Sequence, residues 1–192
     1  MDILGKLLGP ARVKIIKFFL LNKNKNFENQ DIAKRSRVNS KIVNQELKLL
    51  FLVKFIKKNN SGYFFNSSFK YASEFEELFI NSDTINKDII QSYFKNIGRI
   101  KLLVISGIFI KDKNSRVDLL IVGDGLKRSK IEDRIKKLEA EVGIELVYAI
   151  FETKEFIYRL KMYDKLVRDI LDFPHEILLQ NKELSTHLLK KV

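Results

Sequence analysis

SKIVNQELKLLFLVKFIKK, residues 40–58, is the stretch on which the fold of the first half of this chain turns. Val43, Leu47 and Leu50 recur at i, i+4 and i+7, which is the buried stripe of an amphipathic helix running through Leu50, with Asn39 or Ser40 as its cap. The same spacing turns Ser40, Lys41, Asn44, Gln45 and Lys48 outward. VKFIKK (53–58), NNSG (59–62) and YFFN (63–66) then read as two β-prone runs around a polar, glycine-containing turn, the signature of a hairpin. Working upstream, Pro10 suits the first turn of a helix that brings Val13, Ile16, Phe19 and Leu20 to one side and ends near Asn22. Residues 24–27 read as a polar loop, and Asn29 is placed to cap a short helix, QDIAKRS, with Ile32 and Ala33 turned inward.

Charge divides the chain at the same place. Residues 1–70 hold 15 Lys+Arg against 4 Asp+Glu, whereas the remaining residues hold 21 against 20, so almost the whole net charge of +12 sits in the first 70 positions. A Lys- and Asn-rich composition alone would raise lysine everywhere. Segregation of this kind is the electrostatic footprint of a module that meets a polyanion. There is no cysteine, which excludes disulfides and thiolate-held metals, and the two histidines, His175 and His187, leave no histidine-rich site. The opening residues are interrupted by Lys6, Pro10, Arg12, Lys14 and Lys17, and no stretch approaches the ~20 apolar residues of a membrane span. A soluble cytoplasmic protein with no membrane partner is the expectation.

Three short helices followed by a β-hairpin, with lysines on the last helix and in the hairpin, resemble the winged helix-turn-helix domain over roughly residues 9–66. Where members of that family often show a glycine after the third helix, this chain has Lys54. The resemblance implies that the third helix enters the major groove of duplex DNA. It makes Ser40, Lys41, Asn44, Gln45 and Lys48 base and backbone contacts, and Lys57, Lys58, Asn59 and Asn60 the wing. The alternative is that these polar residues form the solvated face of an ordinary helix.

Beyond the hairpin, YASEFEELFI (71–80) and INKDIIQSYFKNI (85–97) read as two amphipathic linker helices ended by Gly98. IKLLVISGIF (100–109) and VDLLIVGD (117–124) are buried-strand runs on either side of a polar loop. A charged helix from about Ser129 to Glu141, the strand IELVYAIF (144–151) and helical patterns up to Pro174 complete an α/β layer. This order is similar to the small nucleotidyltransferase fold of the DNA-polymerase-β superfamily. That family carries a Gly-Ser turn after its first strand, an Asp-x-Asp pair at the start of its second and a carboxylate on a later strand. Together these hold two divalent metals ~4 Å apart. Here the turn reads Ser106-Gly107, the triplet reads Arg116-Val117-Asp118, and Glu145 is the acidic residue near the later strand. The resemblance therefore implies a degenerate site with no metal and no cofactor, in which Arg116 and Asp118, on one strand face, are expected to pair with each other.

The expected architecture is α/β (α+β). A winged helix-turn-helix domain occupies residues 1–70, linker helices 71–98, and a mixed-sheet nucleotidyltransferase-like domain with C-terminal helices 99–192. The expected function is that of a DNA-binding transcriptional regulator, binding double-stranded DNA as a homodimer. Its second domain would serve dimerisation, partner contact or sensing of a nucleotide or protein effector, and it is not expected to be an enzyme. The rival readings are an active metal-dependent nucleotidyltransferase that uses the basic domain to hold its substrate, and a nucleotide sensor in which Arg116 grips a phosphate without metal.

Overall fold

The computed structural model describes residues 3–81, 87–112 and 114–188, and its chain is mixed helix and sheet. Two units divide it. Met1–Thr84 and Lys136–Glu145 form the first, and Ile85–Ile135 with Leu146–Val192 the second. The division falls after residue 84, not after residue 70 as the sequence suggests, and Glu145 groups with the first unit. Among the described residues no helix is long and apolar enough to cross a membrane.

The first unit begins with α1 (Ile3–Leu8), which the sequence reading missed, and α2 (Pro10–Leu21), with proline in its first turn. α3 (Asn29–Ser36) and α4 (Ser40–Leu52) follow. α4 starts where the sequence places it, because the Asn39 side chain accepts a hydrogen bond from the Lys41 amide at 2.9 Å and so satisfies one of the free donors of the first turn. Val43, Leu47 and Leu50 are buried, as are Ile16, Phe19 and Ile32 of the two preceding helices. β1 (Ile56–Asn59) and β2 (Gly62–Phe65) make an antiparallel hairpin in which Asn59 faces Gly62. Phe27, expected in a loop, pairs with Tyr63 as a one-residue third strand, through hydrogen bonds of 2.9 and 2.8 Å. Gly62 permits this approach: its φ is +115°, and a Cβ there would stand 2.3 Å from the Phe27 carbonyl oxygen.

The exit from α4 sets where the hairpin goes. Lys54 has a φ of +60°, the left-handed conformation usually given to glycine. Its amide donates to the Phe51 carbonyl at 3.0 Å, and the Phe55 amide donates to the Leu50 carbonyl at 2.9 Å. That is the paired C-terminal closure of a Schellman motif. It delivers Phe55, fully buried, among Phe65 at 5.3 Å, Phe69 at 5.3 Å and Phe75 at 5.6 Å between ring centres. Phe75 lies on α5 (Ala72–Glu76), which continues as a π-helical turn, Glu77–Asn81, carrying the buried Phe79. The first expected linker helix is thus core of the first unit, not a spacer.

The second unit opens with α6 (Lys87–Tyr93); Ile85 and Asn86 of the expected helix lie outside the described residues. β3 (Arg99–Ile105), β4 (Leu119–Asp124), β5 (Tyr148–Glu152) and β6 (Glu176–Gln180) form one sheet in the order β5-β4-β3-β6. β3 pairs antiparallel with β4 and β6, while β4 and β5 are parallel and joined through α7 (Arg128–Val142), as a crossover requires. The run after β3 turns into a 3₁₀ helix, Gly107–Ile110, instead of continuing as strand. Leu102, Val104, Leu120 and Val122 point to one face, against Phe156 and Leu160 of α8 (Thr153–Lys161), Val167 and Ile170 of α9 (Lys165–Asp172), and Leu184 of α10 (Lys182–Leu188). Leu103, Ile105, Leu119 and Ile121 point to the other face and are also buried, so the two central strands are covered on both sides.

A left-handed non-glycine residue costs about 1–2 kcal/mol, partly offset because glycine loses more backbone entropy on folding. Lys54→Gly is therefore expected to stabilise the protein by roughly 0.5 kcal/mol, and the β-branched Lys54→Val to destabilise it by about 1–2 kcal/mol. Urea midpoints at constant m-value check both.

Candidate nucleic-acid interface

On α4, Lys41, Asn44, Gln45 and Lys48 fall at i, i+3, i+4 and i+7 and so form one strip, opposite the Val43, Leu47 and Leu50 stripe. All four are exposed, as is Ser40 at the start of the helix. α4 is held from behind by Arg12 of α2, whose guanidinium donates to both Glu46 oxygens, at 2.7 and 3.3 Å. The hydrogen bond to Glu46 raises the Arg12 pKa above its ordinary value. Both ends of this interaction are charged, and its forked geometry fixes the helix in orientation as well as position.

In the hairpin Lys57, Lys58, Asn59 and Asn60 are exposed. Lys58 Nζ stands 5.1 Å from the centre of the Tyr63 ring, which orients its ammonium. Asn59 is used internally. Its Oδ1 accepts from the Ser61 amide at 2.9 Å and its Nδ2 donates to Asn26 Oδ1 at 3.4 Å, so this side chain shapes the turn. Asn29, expected to cap α3, lies instead on its first turn after Glu28, and its Nδ2 donates to Asn44 Oδ1. A polar residue at an exposed helix start was its only signal.

The residues expected at a degenerate transfer site are arranged differently from expectation. Arg116 and Asp118 lie in the bend before β4, not on the strand, and they do not pair. Arg116 Nε instead meets Asp169 Oδ2 of α9 at 2.7 Å. The Asp118 carboxylate accepts from the Ile108 amide at 2.9 Å through Oδ1 and from the Val147 amide at 2.9 Å through Oδ2. One side chain thereby closes both the turn after β3 and the lead into β5. Gly107 is packed onto it, with a φ of +56° and room for no side chain: a Cβ would lie 2.1 Å from Asp118 Oδ1. The buried Ser106 hydroxyl donates to the Val117 carbonyl. Glu145 precedes β5 and pairs with Arg35 of α3 at 3.1 Å, an ion pair within the first unit. Among the described residues, no group of three or more His, Cys, Asp or Glu stands together in a way that could hold a metal ion.

Lys101 was also missed. It sits where the β3–β4 register shifts between Ile100 and Leu102, and its Nζ, with the side chain 9% exposed, meets Asp124 at 2.8 Å and Glu183 of α10 at 2.6 Å. A lysine inside an apolar strand run requires such partners, and Asp124 at the end of the adjacent strand was the available clue. The hydrogen bond from Lys101 holds the Asp124 carboxyl below its usual range, and the two acids raise Lys101.

The chain matches no protein-family model, no curated protein and no solved structure.

Asp118→Asn replaces one acceptor oxygen by a donor facing a main-chain amide, and is expected to cost the second unit about 1–3 kcal/mol, read as a lower urea midpoint. Because the folded pKa of Asp124 is depressed, its stabilising contribution is complete above the unfolded value, about pH 4, and is lost as pH falls through the folded value. Lys101→Met is expected to flatten that acid limb of the stability–pH curve.

Proposed function

We propose that this chain is a duplex-DNA-binding regulator of winged helix-turn-helix type, reading base edges through α4 and steadying itself on phosphates through the hairpin. The observation that carries the reading is the exposed strip Lys41, Asn44, Gln45 and Lys48 on a helix capped at Asn39 and anchored through Glu46. It sits in the part of the chain that carries nearly all the net positive charge. Amide side chains supply donor and acceptor together, which is what adenine presents in the major groove, and lysines neutralise phosphate. A two-fold dimer would place two α4 helices about 34 Å apart, one DNA turn, and would make the target palindromic.

The second unit is proposed to be a nucleotidyltransferase-like layer without transfer chemistry, serving partner contact or dimerisation. Its strand order, with an antiparallel pair followed by a parallel crossover strand, supports that likeness. The engagement of Asp118 with two main-chain amides, and of Arg116 with Asp169, supports a structural role for the positions where metal ligands would stand.

The full chain is expected to bind duplex DNA with an affinity that falls steeply with salt. With six to eight phosphates contacted, the slope of log K against log salt is roughly −5 to −7. Gln45→Ala is expected to cost about 1–3 kcal/mol on the preferred site and little on random DNA, whereas Lys57→Ala weakens all sequences alike. Fluorescence anisotropy on both duplexes separates the two effects. A slope near zero, or two variants with indistinguishable profiles, contradicts the assignment.

A further inference from the structure

We infer that the loop of residues 22–26, between α2 and α3, is a second limb of the wing that meets a duplex phosphate through Lys25. The inference rests on the proposed binding of duplex DNA by the first unit and goes beyond it, because it assigns a contact to a segment outside both α4 and the hairpin.

The loop reads Asn22-Lys23-Asn24-Lys25-Asn26 and holds neither an acid nor an apolar side chain. Its first lysine is committed to the fold: Lys23 Nζ meets Glu76 at 2.5 Å and stands 5.9 Å from the centre of the Phe65 ring. Its second is not. Asn24, Lys25 and Asn26 are exposed, and Lys25 pairs with no carboxylate among the described residues. The Lys25 amide donates to the Asn22 carbonyl at 3.0 Å, a turn that fixes the backbone carrying the side chain. The nearest acid in sequence, Glu28, lies beyond Phe27 at the start of α3.

The hairpin determines where this loop runs. Phe27 and Tyr63 exchange both main-chain hydrogen bonds, so β2 is the central strand of a small sheet with β1 on one side and residue 27 on the other. Gly62 of β2 faces Asn59 and carries no side chain, and the side chains of Asn26 and Asn59 meet at 3.4 Å from the two outer strands. Neighbouring strands lie about 4.8 Å apart, so the backbone at residue 27 is about 10 Å from β1. Lys57 on β1 and Lys25 just before residue 27 thus flank β2 from both sides with exposed lysines. Each DNA strand presents a phosphate for about every 3.4 Å of helix axis, so two cations this close are served by one run of backbone. Such a contact adds affinity on every sequence alike, because phosphates carry no base identity.

The test is fluorescence anisotropy of the full chain over a salt series, on the preferred site and on random DNA. It is run on the wild type, Lys25→Ala, Lys25→Arg, Lys57→Ala, the Lys25→Ala/Lys57→Ala double variant and Lys6→Ala, each first shown to melt like the wild type. Lys6, exposed on α1 and so at the opposite end of α2 from the loop, is the control of equal charge. Lys25→Ala is expected to make the slope of log K against log salt shallower by about 1 and to weaken binding about fivefold at roughly 0.15 M salt on both duplexes, the loss of one released counterion. Lys25→Arg keeps the wild-type slope, the double variant is shallower by about 2, and Lys6→Ala matches the wild type. An unchanged slope in Lys25→Ala, an equal change in Lys6→Ala, or a shift of base preference in Lys25→Ala overturns the inference while leaving DNA binding by α4 in place. A wild type that binds neither duplex, or binds with an affinity indifferent to salt, overturns the underlying reading instead.

Discussion

The left-handed turn at Lys54 is the constraint on which the first unit depends. One residue at a φ of +60° ends α4, satisfies its last carbonyls through the amides of Lys54 and Phe55, and swings Phe55 into a pocket of phenylalanine rings. Because β1 starts at the next residue, the same turn decides the direction in which the hairpin leaves the helix. The Asn66 side chain closes the other side by donating to the Lys54 carbonyl at 2.7 Å. The edge-to-face packing of Phe55, Phe65 and Phe69 braces this junction between α4 and the hairpin.

The second unit depends in a comparable way on one carboxylate. Asp118 joins two loops by accepting from the amides of Ile108 and Val147, and the glycine beside it exists to admit it. A carboxylate committed to main-chain donors on both oxygens is a structural fixture, and an arginine two residues earlier, tied to α9 through Asp169, adds to that frame. Asp118 and Arg116 thus hold turns and loops of this layer closed.

Much of this was legible in the residues. The α4 stripe, its asparagine cap and the two-residue hairpin turn are local signals, and local signals survive into the structure. β3 and β4 were visible as apolar runs because both faces of the central strands are buried. β6 was missed for the opposite reason. EILLQ is a short edge strand, half-buried, and follows a proline, so it carries neither alternation nor a long apolar run. The expected pairing of Arg116 with Asp118 failed because it assumed strand geometry one turn too early; the chain there is still a bend, and Asp169, 51 positions from Asp118 in sequence, is what Arg116 finds. Contacts of that kind, like Lys101 with Glu183 or Asn29 with Asn44, are set by tertiary packing and leave no periodic trace.

Amide chemical-shift mapping of the full chain titrated with duplex DNA tests the central claim most directly, because it reads position and not affinity. The account predicts perturbations concentrated on the backbone of residues 40–48 and 57–60 and on the side-chain amides of Asn29, Asn44 and Gln45, with residues 106–118 unmoved. Perturbations confined to the second unit, or spread evenly over surface lysines with α4 silent, would contradict it.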